Sequence, residues 1–273
     1  MLTQVWHTLF RRKMIIFNTD LDNTIIYSYK HDIGDDKINV ELYQGREISY
    51  VSSKTHELLQ KVKNEIIVIP TTTRTIEQYN RIELGVGAFK YALTCNGGVL
   101  LVDGNRDEEW YKESLELAKP SEEAIRVAYK VLENDERRYF ELRYIEELFL
   151  FTKCREPETI VEDLKKVCDL DLVNVFNNGD KVYVVPNNLS KGNAIRRIRE
   201  KLKADYIVAA GDSEFDISMV TEADKGLVPK GFGKEFGVDD NLIEIETGLF
   251  SEELLSVVLK TAKEYKETLT NCL

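Results

Sequence analysis

The sequence predicts an α/β protein, a parallel-sheet domain with a smaller α+β domain inserted into it. Three observations predict this. The short apolar runs Met14–Thr19, Ile66–Ile69 and Tyr206–Ala209 read as strands covered on both faces. Segments of helical periodicity alternate with them near both ends of the chain. Between these stretches the order changes to α-β-β-α-β-β, the pattern of a compact antiparallel domain.

In chain order, Met14–Thr19 is the first strand and ends in Asp20-Leu21-Asp22-Asn23-Thr24. Ile38–Val51 alternates around Gln44-Gly45 and predicts a hairpin. Thr55–Lys63 predicts an amphipathic helix, and Ile66–Ile69 a second buried strand running into Pro70-Thr71-Thr72-Thr73-Arg74. A helix over 76–84 follows. Tyr91–Thr94 reads as a third strand of the parallel sheet, closed by Asn96-Gly97-Gly98.

Pro120-Ser121-Glu122-Glu123 opens a helix to about Leu132, because proline and acidic residues favour a first turn. Strands are expected at Tyr139–Arg143 and Leu148–Lys153, then a helix over Pro157–Cys168. Strands at Leu172–Phe176 and Lys181–Val185 are joined by Asn177-Asn178-Gly179-Asp180, a turn signal. The α/β pattern resumes with a helix over Lys191–Leu202, the strand Tyr206–Ala209, and Gly211-Asp212. A helix from Phe215, short strands at Gly226–Val228 and Leu242–Ile245, and a last helix over Ser251–Lys263 complete it.

The chain has 273 residues, a length that suits one large or two modest domains, and the element order favours two. Apolar residues make up 43%, enough for a core, and no run approaches the length of a membrane helix. Asp plus Glu number 48 against 37 Lys plus Arg, a net charge of −11, which disfavours binding to nucleic acid by broad phosphate neutralisation. Cys95, Cys154, Cys168 and Cys272 form no CxxC, and His7, His31 and His56 are far apart, so a zinc site has no support. At the N-terminus the apolar Val5–Phe10 precedes Arg11-Arg12-Lys13, the reverse of a secretory signal. A cytoplasmic protein with reduced thiols is expected, its first thirteen residues a loose extension. Nothing in the sequence sets an oligomeric state.

The chemistry-bearing residues sit where strands end. Ligand sites of parallel sheets lie beyond those carboxyl ends. Asp20 and Asp22 share a face if extended geometry persists, and two carboxylates so close repel unless a cation offsets them. Gly211-Asp212-Ser213-Glu214-Phe215-Asp216 follows another strand, with Asp212 and Asp216 spaced to share a helical side. Four acidic residues at strand ends suit Mg2+ better than a softer metal. Singly, each also suits a turn or a helix cap. The ordered set points to chemistry.

That set resembles the haloacid dehalogenase-like (HAD) superfamily of phosphohydrolases. MIIFNTDLDNT supplies Asp20, Asp22 and Thr24; IPTTTRT supplies Thr72; NLSKGNAI supplies Lys191; GDSEFD supplies Asp212 and Asp216. The resemblance implies a Rossmann-like core over 14–101 and 187–273, with an inserted C2-type cap over 102–186. The cap order is similar to the C2b caps of Cof-like and sucrose-phosphate phosphatases and phosphomannomutases.

The resemblance further implies Asp20 as nucleophile and Asp22 as acid and base. Mg2+ would be held by Asp20, the main-chain carbonyl of Asp22, and Asp212. Asp216 would support the metal or orient Lys191, with Thr72 and Lys191 on phosphate oxygens. Thr24, Arg74, Asn96, Arg143 and Lys181 are candidates for support or substrate contact. Two departures stand out. Thr73 occupies a position where the family often has Gly, and Phe215 one where it often has Asn. The expected partner is a small phosphorylated metabolite, with a sugar phosphate as one candidate. A phosphomutase using the same aspartate pair and a weakly catalytic binding or regulatory protein stay open as alternatives. A nucleotidase or a protein phosphatase is less favoured.

Overall fold

The computed structural model describes residues 13–238 and 242–270. Residues 1–12, expected as an extension, lie outside the described residues, as do His7 and Cys272. The chain divides into two compact units, one built on 13–70, 81–89 and the residues from 195 onward, the other on 71–80 and 90–194. No helix among the described residues is long and apolar enough to cross a membrane.

The first unit holds five parallel strands. Their order is Leu242–Ile245, Lys225–Pro229, Tyr206–Ala210, Ile15–Thr19 and Ile67–Pro70. Every residue of Ile15–Thr19 is buried, which explains why its sequence does not alternate. Thr19 stands beside Ala210, so Asp20 and Gly211 leave the sheet at the same carboxyl edge. Helices Ser53–Glu65 and Phe250–Thr270 belong to this unit. They meet through hydroxyls at their starts. Ser52 caps the first by accepting from the Thr55 N–H, and Thr55 Oγ1 lies 2.7 Å from Ser251 Oγ. Leu254, Leu255 and Val258 are fully buried, each contributing roughly 1.5–3 kcal/mol.

The hairpin forms over Lys37–Tyr43 and Arg46–Ser52, with Gln44 (φ 50°) and Gly45 (φ 75°) both left-handed, as a tight hairpin turn requires. The helix expected over 76–84 is a single turn, Ile76–Tyr79. Tertiary pairing takes over beyond it, since Ile82 bridges Glu41 and the Glu83 N–H donates to the Val40 carbonyl. The helix expected from Phe215 starts later. Glu214–Asp216 is a 3-10 turn and Ile217–Glu222 the helix. A short helix, Phe232–Phe236, was not expected, and the last helix runs to Thr270.

The second unit holds an antiparallel sheet in the order Val173–Asn178, Lys181–Pro186, Phe149–Lys153, Arg143–Ile145. Helices Glu122–Glu133 and Pro157–Val167 cover one face, clustering Ala128, Leu132, Ile160 and Leu164 with Leu150, Val175, Val182 and Val184. The strand expected at Tyr139–Arg143 begins only at Arg143. Upstream, the Arg138 guanidinium donates to the carbonyls of Leu132, Glu133 and Phe140, while Arg138 bridges Cys154 and the Tyr139 N–H donates to the Lys153 carbonyl, so this stretch meets the neighbouring strand without continuing its ladder.

Tyr91–Thr94 is not a strand of the parallel sheet. It pairs antiparallel with Val99–Val102, which pairs with Asn105–Arg106, and an isolated parallel bridge joins Leu93 to Thr71. Helix Glu108–Ala118 was also not expected. Its cap is Asp107, which accepts from the Trp110 N–H at 3.0 Å, and Glu108 and Glu109 favour its first turn.

Candidate active site

The Asp20 loop is tied down locally. The Asp20 N–H extends the parallel ladder by donating to the Ala210 carbonyl at 2.9 Å. The Ile25 and Ile26 N–H groups both donate to the Leu21 carbonyl, and Leu21, Ile25 and Ile26 are each 1% exposed. Three apolar anchors thus clamp a turn whose left-handed residue is Asn23, φ 59°. Asparagine tolerates that conformation better than a β-branched residue does. Thr24 is fully buried and donates from Oγ1 to Asp212 Oδ1 at 2.9 Å.

The second carboxylate loop is built by a reciprocal cap. Asp216 Oδ2 accepts from the Asp212 N–H (3.1 Å), the Ser213 N–H (3.0 Å) and the Ser213 hydroxyl (2.8 Å). The Asp216 N–H in turn donates to the Ser213 carbonyl at 2.8 Å. Asp216 therefore reaches back to Asp212 through a 3-10 cap, and not along one side of an α-helix as the four-residue spacing suggested. Gly211 makes this possible. A Cβ there would lie 2.3 Å from Asp216 Cβ and Cγ, closer than any real contact. Gly211 and Ser213 were not among the candidate residues. The Ser-x-x-Asp spacing of a capping box is the signal that marks Ser213.

Asp20, Asp212 and Asp216 each offer a carboxylate oxygen, the three within 4.8 Å of one another. Asp20 is 6% exposed and Asp216 0%. Buried carboxylates this close repel when ionised, and a divalent cation removes the repulsion. The all-oxygen donor set suits a hard cation such as Mg2+ or Ca2+. The Asp22 carboxylate, expected among the metal residues, is not in the group. Nearby, burial pushes the Tyr27 phenol up, and the Asp212 charge adds to that.

The other motif residues belong to the second unit. Thr72 is fully buried, its N–H donating to the Leu93 carbonyl and its Oγ1 accepting from the Arg74 N–H. Asn96 donates from its N–H to the Thr72 carbonyl at 3.0 Å and from Nδ2 to the Leu189 carbonyl at 2.9 Å. Lys191 opens helix Lys191–Leu202 and is 1% exposed. A cation at the positive end of a helix runs against the helix dipole. Thr73 is not among the residues with positive φ, so this turn does not need glycine. Phe215 is half-buried. Burial pushes the Cys95 thiol up to about 12, away from the thiolate a nucleophile needs.

On the antiparallel sheet, Arg143 stands opposite Phe151, Phe151 opposite Tyr183, and Tyr183 opposite Phe176, one cross-strand row on the face away from the helices. Lys181 stands opposite Lys153 in the next row. Arg143 pairs with Glu141 and lies over the Phe140 ring, 4.9 Å from its centre. Arg74 donates to the Gln78 carbonyl at 3.4 Å.

A family model described as haloacid dehalogenase-like hydrolase matches residues 105–228. Comparison with curated proteins gives no match. Among solved structures, the sucrose-phosphatase of Synechocystis sp. PCC6803, in complex with sucrose and phosphate, is similar at 14% identity with a TM-score of 0.60. The match covers 90% of this chain and 97% of that one. A phosphatase of the haloalkanoate enzyme superfamily from Bacteroides thetaiotaomicron is similar at 16% identity and 0.54, covering 92% and 96%. A haloacid dehalogenase-like hydrolase protein from Bacillus subtilis is similar at 14% identity and 0.53, covering 94% and 98%. The parallel sheet, the antiparallel insertion, these likenesses and the three-aspartate cluster agree: the chain has the haloacid dehalogenase-like phosphohydrolase fold with an inserted C2-type cap domain.

Proposed function

We propose that the chain is a Mg2+-dependent phosphomonoester hydrolase acting in the cytoplasm on a small polar metabolite, with sugar phosphates the leading class. The observation that carries this reading is the close approach of Asp20, Asp212 and Asp216 at the ends of two adjacent strands. Asp20 attacks phosphorus with one carboxylate oxygen, and the bond from phosphorus to the ester oxygen breaks. Asp22 gives its proton to the departing alkoxide. It then takes a proton from the water that opens the aspartyl-phosphate, returning Asp20 as carboxylate and releasing phosphate. Asp20, the Asp22 carbonyl and Asp212 hold the cation, with Asp216 fixing the Asp212 loop. When bound, the cation offsets the carboxylate charge and draws electron density from the phosphoryl oxygens. Thr72 and Lys191 hold non-bridging oxygens of the transferring group.

The sucrose and phosphate in the similar Synechocystis protein motivate sugar phosphates as the first substrates to try. The test is phosphate release from a panel of phosphorylated metabolites with and without Mg2+. Release that needs Mg2+ and vanishes in Asp20→Asn supports the reading, and release that survives Asp20→Asn overturns it. An isomerised sugar phosphate in place of free phosphate would make the chain a mutase.

A further inference from the structure

The turn Cys95–Gly97, between strands Tyr91–Thr94 and Val99–Val102, is strained. Three residues in succession are left-handed: Cys95 (φ 51°), Asn96 (φ 59°) and Gly97 (φ 84°). Only glycine adopts this conformation without cost. Asn96 is 5% exposed, and its Oδ1 is buried with no hydrogen-bond partner among the described residues. Glycine at 96 would relieve both the torsional cost and the orphaned oxygen. What asparagine adds over glycine is the bond from Nδ2 to the Leu189 carbonyl, two residues before Lys191.

The turn is also held from both sides. A Cβ on Gly97 would lie 2.4 Å from Ala194 Cβ, so the turn packs directly on the first turn of the Lys191 helix. Trp110 Nε1 donates to the Gly97 carbonyl at 3.0 Å from the other side. Through its N–H, Asn96 grips the Thr72 carbonyl, and through Nδ2 it grips the approach to Lys191.

We infer that Asn96 is a positioning residue of the phosphate site, fixing Thr72 against the start of the helix that carries Lys191. The inference rests on the roles proposed for those two residues. Each belongs to a different segment, and Lys191 sits where the helix end repels a cation, so its position has to be imposed from outside the helix. Asn96 is bonded to both segments.

The test is calorimetric titration of the protein with inorganic phosphate in the presence of Mg2+, for the parent chain and for Asn96→Gly and Asn96→Asp. Asn96→Gly keeps the left-handed turn and removes the bond to Leu189. Its Tm stays within about 3 °C of the parent while phosphate binds about five- to tenfold more weakly. KM for the ester hydrolysed rises in step, with a smaller change in kcat. Asn96→Asp, which sets a carboxylate against the Leu189 carbonyl, weakens phosphate at least as much. A folded Asn96→Gly variant with parental phosphate affinity overturns the inference, since a purely structural turn would move Tm and leave affinity alone. A parent that binds phosphate yet releases none from any ester breaks the hydrolase reading and leaves the Asn96 inference standing.

Discussion

The two sheets handle charge in opposite ways. At the carboxyl edge of the parallel sheet, carboxylates of one sign are brought together, two of them buried, with backbone N–H groups and a glycine arranged around them. On the antiparallel sheet and its helices, charges pair with opposite neighbours in partly or largely exposed bridges such as Arg143–Glu141, Lys153–Asp180 and Arg126–Glu123. The second arrangement is nearly neutral in energy. The first gathers like charge at one edge, and a gathering of that kind locates chemistry better than the count of charges does.

The largest expected effect that sharpens this contrast is in turnover. Asp20→Asn lowers phosphate release at least about a thousandfold, whereas Arg143→Ala changes it less than about tenfold. A phosphate-release assay of the two variants side by side checks it, and comparable losses would break the contrast. Next comes the cation. Mg2+ at a hundred times its dissociation constant stabilises the folded chain by about 2.7 kcal/mol, read as a rise in Tm that EDTA reverses. An unchanged Tm would show that the three aspartates need no cation.

Gly211→Ala follows, since its Cβ has no room beside Asp216. It costs about 1–3 kcal/mol in denaturant unfolding and weakens Mg2+ binding with it. The smallest effect lies in the insertion. Arg137 bonds Asp135 and Asp163, holding Asp135 below the usual carboxylate range, and Lys166 and Arg137 together do the same for Asp163. Both folded pKa values are depressed, so their stabilisation is complete above about pH 4 and lost as pH falls through the folded values. Arg137→Ala therefore moves the acid-unfolding midpoint upward by about a few tenths of a pH unit, followed by circular dichroism.

How much was legible in the sequence follows the same division. The strands Ile15–Thr19 and Tyr206–Ala210 and the acidic residues after them could be read because an uninterrupted apolar run so short is at home only where both faces are covered. Local pattern also set the turn at Gln44-Gly45. The misreadings share one cause, a hydrogen-bonding partner, near or far, that outvotes the periodic pattern. Tyr91–Thr94 looks like another buried parallel strand, yet its neighbour Val99–Val102 is only a tight turn away and pairs first. The Ile76 helix stops because Ile82 has a partner in Glu41. Tyr139–Leu142 alternates like a strand, but the register slips, since Arg138 bridges Cys154 where an unbroken ladder would place Phe140. Helix Glu108–Ala118 is different, because Asp107 with two glutamates was a readable start signal. Within the site, Asp216 was expected on a helical side with Asp212. Ser213, whose hydroxyl closes the cap, redirects it.

The hydrogen bond from Thr24 to Asp212 spans 188 positions of chain. Such a contact has a consequence for the timing of assembly. A ribosome that has released only about the first two hundred residues has made Asp20 and all of the insertion, but none of the loop that completes the carboxylate cluster. The growing chain can fold the antiparallel domain as a local unit, while the carboxylate-bearing edge waits for strand Tyr206–Ala210 to pair beside Ile15–Thr19. A cation held by the three aspartates would thus bind late in the life of each molecule and would report that the first and last thirds of the chain have met.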